Sequence, residues 1–232
     1  MKRFLKFFLS LLAALLVAGL VWSMAFFQIT VTNGSQEPPL IEGDRVVVSR
    51  LGYGIRLPFG KEWSFVRGLP ELEQMLAFHD PLMQKGSSAS IYVGTCQALP
   101  GDTVLLSSAD GERHPFVVPH KGEPVAVLPW NALLLAHALH LHEGHNVCWQ
   151  CDSLLLVDGQ RCKEVTFSSE YLWVRSASPE AYDSRKFGLL PVSCVMGRLL
   201  FVSWSKESAS PLFSGFRTDR FFLPVSSISS SL

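Results

Sequence analysis

The pattern of hydrophobic and polar positions changes near residue 30. Before that point, residues 7–27 form an uninterrupted run of 21 residues without a charged side chain. A helix that rises about 1.5 Å per residue over this length crosses a hydrocarbon layer of about 30 Å. Lys2, Arg3 and Lys6 precede the run, and basic residues collect on the cytoplasmic side of membrane helices. The pattern predicts one transmembrane helix with a cytoplasmic N-terminus and the rest of the chain across the membrane.

A cleavable signal peptide is the alternative for this N-terminal run. Ser23 and Ala25 place small residues at the positions that precede a cleavage site. The apolar run is longer than the ~7–15 residues of a typical signal-peptide core, and no polar break precedes the cleavage position. We therefore favour a retained anchor, and in both cases the body of the protein is exported.

Beyond residue 30, short apolar runs mostly follow a period of two, with Gly, Pro, Asn and Asp between them. This pattern is typical of β-strands. The predicted strands cover residues 45–48, 90–93, 103–106, 115–118, 153–157, 165–167, 171–174 and 198–202. Asp158-Gly159 predicts a type I′ hairpin turn. Residues 69–76 and 131–142 predict helices, the second with Asn131 as its N-cap. The fold class is therefore mainly β with one or two short helices.

The composition favours one exported domain behind the anchor. Hydrophobic residues make up 48% and charged residues 17%, which excludes a disordered polar chain. Lys+Arg and Asp+Glu number 20 each, so no basic excess favours nucleic-acid binding. We predict a basic cytoplasmic N-terminus at 1–6, the anchor at 7–27, an exported domain at 28–225 and a Ser-rich tail at 226–232.

Four sequence blocks occur in an order that resembles one family. They are GSQEPPL at 34–40 with GDRVVV at 43–48, ALPGDTV at 98–104, VDGQ at 157–160, and DSRKFGLLP at 183–191. Together with the N-terminal anchor, these blocks resemble the bacterial signal peptidase I family over essentially the whole chain. The similarity is greatest to a short, divergent branch found in Bacteroidetes.

The resemblance implies a β catalytic core and the activity of a membrane-anchored serine endopeptidase that cleaves signal peptides from exported preproteins. Ser35 occupies the nucleophile position, and Asn33 occupies the position of an oxyanion-hole donor. The implied location is the bacterial plasma membrane, with the main domain on the extracytoplasmic side. The implied partners are signal peptides or another peptidase, and the family needs no cofactor.

Departures from the family pattern fall on the residues that do the chemistry. Gly94 stands where the family has its general-base lysine, and Ala181 stands where a serine orients that lysine. Gln36 replaces the methionine after the nucleophile. Two hypotheses follow: a peptidase with an unidentified base, or an inactive relative that binds extended peptides or a partner peptidase. The residue chemistry favours the second hypothesis, because a serine hydroxyl needs a base.

Three charged residues in the matching blocks are interpreted as structural support. Asp102, Asp183 and Arg185 lie in β-rich segments bounded by turns, where ion pairs and turn hydrogen bonds are common. The family resemblance implies the same role for them.

Other residues are candidates for a replacement base or for metal ligands. Lys85 lies in a Gly-Ser loop, where a solvated lysine is a poor base at neutral pH. Four histidines follow each other closely: His137, His140, His142 and His145. Imidazole suits both general-base catalysis and zinc binding, but the spacing lacks the i, i+4 pair of a catalytic zinc helix. We therefore expect no metal.

The cysteine count leaves disulfide pairing open. The five cysteines are Cys96, Cys148, Cys151, Cys162 and Cys194, so at least one is unpaired in an exported domain. Cys148 can pair across the hairpin with Cys162 or within its own Cys-X-X-Cys motif. A redox-enzyme interpretation of that motif lacks a surrounding βαβ pattern.

Overall fold

The computed structural model describes residues 2–31, 40–56, 62–63, 68–83, 90–107, 111–150, 154–207, 209–211 and 213–225. Within them, strands predominate, and this confirms the predicted fold class. The strands are β1 (Phe26–Thr30), β2 (Asp44–Ser49), β3 (Ile55–Arg56), β4 (Glu62–Trp63), β5 (Met75–His79), β6 (Ile91–Ala98), β7 (Thr103–Ser107), β8 (Arg113–Val117), β9 (Pro124–Ala126), β10 (Val147–Gln150), β11 (Leu154–Val157), β12 (Gln160–Cys162), β13 (Glu164–Thr166), β14 (Tyr171–Arg175), β15 (Leu190–Pro191), β16 (Val195–Ser205) and β17 (Leu223–Pro224). The helices are α1 (Lys2–Ala25), α2 (Ala132–Ala138) and α3 (Ser184–Phe187).

Helix α1 is the predicted membrane span. Its segment Phe4–Ala25 has a mean hydropathy of 2.4, and its most apolar stretch is not buried inside the protein, so its length and composition suit a membrane crossing. The hydroxyls of Ser10 and Ser23 each donate to a backbone carbonyl three residues earlier, at 2.8 Å, which satisfies them within the helix. The helix ends at Ala25 and β1 begins at once, so the predicted span ended two residues too late.

The chain divides into two compact units, and the first contains Met1–Val31, Glu42–Gly68 and Gly197–Leu232. Here β2 pairs with β1 and with β16 in antiparallel register. Gly197 allows the close approach, because a Cβ there would lie 2.1 Å from the Ser49 carbonyl oxygen. Buried Asp44 is paired with Arg220 at 2.6 Å. Backbone pairing and this ion pair hold the first unit together.

The second unit contains Thr32–Ile41 and Leu69–Met196. Strand β6 pairs with β5 on one side and with β14 on the other, and β15 follows β14. Three smaller groups of strands surround helix α2, namely β7–β8, β9–β13 and the β10–β11–β12 meander. A hydrophobic core joins α2 to these strands, and its largest buried side chains are Phe116, Leu135, Leu139, Phe167 and Tyr171.

Most predicted elements are confirmed, but one predicted helix is wrong. Residues 69–76 form no helix, because the chain turns at Glu73, whose φ is 61°, and then enters β5. Met75 to Phe78 are all buried, so this strand has apolar residues on both faces and no period-two signal. The predicted hairpin is confirmed by positive φ at both Asp158 and Gly159, 50° and 81°.

The predicted second helix is confirmed as α2 followed by a π-helical turn at Leu139–Glu143. Asn131 precedes α2 but does not cap it with its side chain. Its side chain instead accepts from the Leu128 N–H at 2.8 Å and donates to the Ala126 carbonyl at 3.0 Å. The buried amide therefore closes the turn before the helix rather than its first turn.

Candidate active site

Gly94 lies at the centre of β6, buried between two neighbouring strands. It pairs with Leu76 of β5, and β14 runs along the other side. A Cβ at this position would lie 3.3 Å from Phe78 Cε1, 3.5 Å from Val174 Cβ and 3.6 Å from the Arg175 carbonyl oxygen. The contact with Phe78 is tight, so even a methyl group at this position requires the Phe78 ring to move by a few tenths of an ångström, whereas the other two are ordinary van der Waals contacts.

Aromatic side chains continue from Phe78 and form what we call the aromatic cluster: Phe78, Tyr92, Tyr182 and Phe187. The Phe78 ring centroid lies 6.3 Å from that of Tyr92 and 5.7 Å from that of Phe187. The Tyr182 ring lies 4.5 Å from Tyr92 and 5.2 Å from Phe187. Such spacing is typical of attractive ring packing. The cluster supplies apolar surface next to Gly94 but no amine or imidazole.

Two hydroxyl groups near this region were missed by the sequence reasoning. The Tyr182 hydroxyl donates to Asp80 Oδ1 at 2.8 Å, and burial together with this hydrogen bond raises the pKa of Tyr182. The Ser176 hydroxyl donates to the carbonyl of Val93, the residue before Gly94, at 3.2 Å. In the sequence, the one signal for Tyr182 is its position between Ala181 and the block at 183–191. Neither hydroxyl is a base at neutral pH.

Ala181 and Asp183 flank Tyr182, and both are buried. The Asp183 carboxylate accepts from the backbone N–H of Ser176 at 2.9 Å and of Arg185 at 3.0 Å, the second bond being the N-cap of α3. The Arg185 guanidinium adds hydrogen bonds at 2.5 to 3.0 Å to the same carboxylate. Asp183 raises the pKa of Arg185 through these bonds. These bonds hold the start of α3 against Ser176, the residue that follows β14.

Asp102 organises the turn after β6. Its carboxylate accepts from the Leu99 N–H at 2.9 Å, and Gly101 provides the positive φ of 89° that this turn requires. Burial, with a smaller effect from Asp102, raises the pKa of the Cys96 thiol to about 12. Cys96 is therefore a protonated core residue and not a nucleophile at neutral pH.

Some of the site residues predicted from the sequence lie outside the residues that the structure describes. Ser35, Asn33, Gln36 and Lys85 lie outside the described residues, so their positions relative to Gly94 stay a prediction. The role assigned to Asp102, Asp183 and Arg185 likewise stays a prediction, although their contacts are those of turn and cap residues.

The histidines lie on or next to α2 and its π-helical turn. Burial is the main cause that lowers the pKa of His142 to about 4, and its ring packs against Tyr171. His145 Nδ1 lies 2.7 Å from Asp158 Oδ2. The described part of the chain contains no group of three or more His, Cys, Asp or Glu side chains placed to hold a metal.

Among the described residues, no disulfide bond joins any two of Cys96, Cys148, Cys162 and Cys194. Cys151 lies outside the described residues, which leaves its pairing with Cys148 a prediction. Cys148 and Cys162 lie on β10 and β12, on opposite sides of β11. The alternative pairing of Cys148 with Cys162 is therefore wrong for this structure.

The structure has an N-terminal apolar helix that suits a membrane crossing, a mainly β body, and Phe78 and Val174 as the side chains next to Gly94. The family model for signal peptidase, peptidase S26, matches residues 4–204. The chain therefore belongs to the signal peptidase family, peptidase S26, as the sequence resemblance predicted. No curated protein matches it significantly. Family membership and the apolar helix together support membrane association and peptide ligands.

Proposed function

We propose that this protein is a membrane-anchored member of the signal peptidase family that binds extended exported peptides without cleaving them through a Ser/Lys dyad. The observation that carries this proposal is the surrounding of Gly94, which has packed aromatic and aliphatic side chains in place of an amine. A serine hydroxyl becomes an effective nucleophile only when a neighbouring base removes its proton. Membership in the family does not supply that base.

The position of Ala181 supports the same proposal. It is buried with 1% of its surface exposed and carries no group able to orient an amine. The residue next to it, Tyr182, donates its hydroxyl to Asp80 and contributes its ring to the aromatic cluster. Phe78 and Val174, the side chains that an added Cβ at position 94 would contact, carry no amine or imidazole.

The second candidate function is a signal-peptide endopeptidase with Ser35 as nucleophile, Asn33 as oxyanion donor and an unidentified base. The family match favours it at the level of class. For either function we infer an N-terminus in the cytoplasm and a main domain on the extracytoplasmic side of a bacterial plasma membrane, because three basic residues precede α1.

A processing assay separates the two functions. Full-length protein in detergent is incubated with a preprotein that carries an Ala-X-Ala cleavage site, and product is followed by gel and mass spectrometry. The proposal expects no product above background, and the same result for Ser35→Ala. Cleavage by the natural sequence that Ser35→Ala abolishes would overturn it. A pH–rate limb near 6.5 would then indicate a histidine base, and a limb near 8–9 a displaced lysine.

A rescue series tests why activity is absent. Gly94→Lys alone is expected to remain inactive, because Ala181 cannot orient the amine and Phe78 occupies the adjacent space. The double variant Gly94→Lys with Ala181→Ser supplies both groups, and general-base catalysis is worth roughly 10²–10⁴-fold in rate. Gly94→Ala serves as the steric control, and circular dichroism verifies the fold of each variant.

A further inference from the structure

An open groove with a volume of about 1150 Å³ crosses the surface of the second unit. Strand β7 forms one wall with all five of its residues, and α2 and α3 contribute the others. Gln97 of β6 and Trp173 of β14 also line it. Of the residues described for the candidate site, Arg185 and Phe187 also line the groove.

The charged side chains that line the groove are all basic: Arg113, Arg175, Arg185 and Lys186. Arg185 is neutralised by Asp183, as described above. Arg113, Arg175 and Lys186 are exposed, and no Asp or Glu is among the lining residues of the described chain. Lys186 also donates to the carbonyl of Glu180. The groove therefore presents an excess of positive charge in a protein whose total charge is zero.

Apolar side chains lie between these cations. Leu105 and Leu133 are 64% and 65% exposed, which is high for leucines outside the membrane helix, and both line the groove. Trp130 lines it beside them, with its ring stacked on His114 at 5.2 Å. An occupant that covers these side chains removes apolar surface from water.

Strand β7 presents an unpaired backbone edge to the groove. Among the described strands it pairs with β8 alone, in antiparallel register. The Val118 N–H donates to the Asp102 carbonyl at 2.8 Å, which sets the alternation of hydrogen-bonded pairs along the hairpin. By that alternation Val104 and Leu106 bond to β8, whereas the N–H and C=O groups of Thr103, Leu105 and Ser107 point away from it. All three of these residues line the groove.

The opposite edge of the hairpin is less suited to strand addition. Pro115 of β8 is paired with Leu105, and its position in the alternation places its nitrogen on the outer edge. Proline has no N–H to donate, so this edge lacks one of its donors. Strand addition is therefore favoured at β7, inside the basic groove.

We propose that the groove binds an extended peptide segment with alternating acidic and apolar residues, which adds as a third strand to β7. Backbone hydrogen bonds to Thr103, Leu105 and Ser107 hold the segment. Its carboxylates lie on the face of the hairpin that presents Arg113, and its apolar side chains lie on the opposite face, where Trp130 packs on His114 and Phe116. The inference deepens the proposed peptide binding by naming a place and a class of peptide, and in that sense it rests on the proposed function.

The direct test is fluorescence anisotropy with a labelled hexapeptide of alternating valine and glutamate, titrated with full-length protein in a non-ionic detergent. Matched peptides carry glutamine or lysine in place of glutamate. We expect saturable binding of the glutamate peptide that weakens as salt rises, and weak or no binding of the other two. Equal binding of all three peptides would overturn the charge argument.

Protein variants locate the binding. The double variant Arg113→Glu with Arg175→Glu is expected to weaken binding by about ten-fold or more. Arg161→Glu is the matched control, because Arg161 is exposed on β12 but does not line the groove. Its affinity should stay within about two-fold of the natural sequence. Equal losses in both variants would place the peptide elsewhere.

Probe chemistry tests the added strand. N-methylation of alternate residues removes every second N–H, so one register of methylation should abolish binding and the other should preserve it. Equal tolerance of both registers would overturn strand addition.

Two further measurements separate this inference from its alternatives. If the groove double variant weakens binding to phosphatidylglycerol vesicles but not to the glutamate peptide, the groove binds a lipid surface and the inference is wrong. If a signal-peptide probe binds while the glutamate peptide does not, the groove inference fails and the proposed function stands. If the glutamate peptide binds and Ser35-dependent processing is also observed, the groove inference stands and the proposed function fails.

Discussion

Asp183 and Gly94 lie in the same compact unit and in stretches that match the same family, but their surroundings differ in chemistry. The Asp183 carboxylate has hydrogen-bond donors from two backbone N–H groups and from Arg185. Gly94 has neighbouring carbon atoms of Phe78 and Val174 and one backbone carbonyl oxygen. Position 183 thus has a buried charge with hydrogen-bond partners, whereas position 94 has a buried backbone without a charged group.

The difference teaches which parts of the scaffold the fold itself needs. A buried carboxylate is tolerated only with its donors, so removing Asp183 or its partners disturbs α3 and the adjoining segment. A catalytic lysine contributes to chemistry and not to packing, so its position can be filled by aromatic rings without loss of the β sheet. The predictions below test this contrast, beginning with the largest expected effect.

Asp183→Ala is expected to destabilise the protein by about 2–4 kcal/mol. The change removes the N-cap of α3 and leaves the Ser176 N–H and the Arg185 guanidinium without their acceptor, and Arg185 is partly solvated, which limits the loss. Urea denaturation followed by tryptophan fluorescence measures it. Glu180→Gln, at an exposed position, is the control, and a loss as small as that of the control would contradict the contrast.

Gly94→Lys is expected to cost about 2–3 kcal/mol at pH 7. Its Cβ lies against Phe78, and its amine must either lose hydration near the aromatic cluster or displace neighbouring side chains. Desolvation depresses the folded-state pKa of such a lysine, so its cost should shrink as pH rises toward the unfolded value of about 10.4. A cost that does not change with pH would show that the amine reaches solvent.

Tyr182→Phe is expected to cost about 1 kcal/mol, because it removes the hydrogen bond to Asp80 but keeps the ring in the aromatic cluster. The pKa of Tyr182 is raised in the folded state, so the unfolded chain loses this proton first as pH rises above about 10. Stability from Tyr182 is thus present below that pH and lost above it. The variant should show a smaller decline in denaturation midpoints above pH 10, whereas an identical decline would argue against the shifted group.

Gly94→Ala should change stability by less than about 1 kcal/mol. The added methyl must move the Phe78 ring by a few tenths of an ångström, while the loss of glycine flexibility in the unfolded chain acts in the opposite direction. Thermal unfolding compares it with the natural sequence. A loss similar to that of Gly94→Lys would indicate that volume alone, rather than charge, makes position 94 intolerant of a side chain.

The sequence predicted the fold in those segments where the pattern is local. The type I′ turn at Asp158-Gly159 follows from two residues that accept positive φ, and helix α2 follows from a run of strong helix formers. The helix predicted over residues 69–76 overlaps the start of β5, and β5 was not predicted as a strand because a strand buried on both faces has no alternation to read. The family blocks located Gly94 in the sequence, but no local pattern could tell what its neighbours are.

The sequence by itself determined the membrane helix, the mainly β class and the absence of a lysine at position 94, because charge-free length, alternation and residue identity are properties of the chain. The tertiary structure alone decided that Phe78 packs with Tyr182 and Phe187 near that position, since Phe78 lies on β5 and the other two residues lie in and next to α3. It also decided that the outer edge of β7 meets the cations of β8, β14 and α3 in one groove. Contacts between distant segments depend on how the strands pair, and strand pairing is a property of the whole fold.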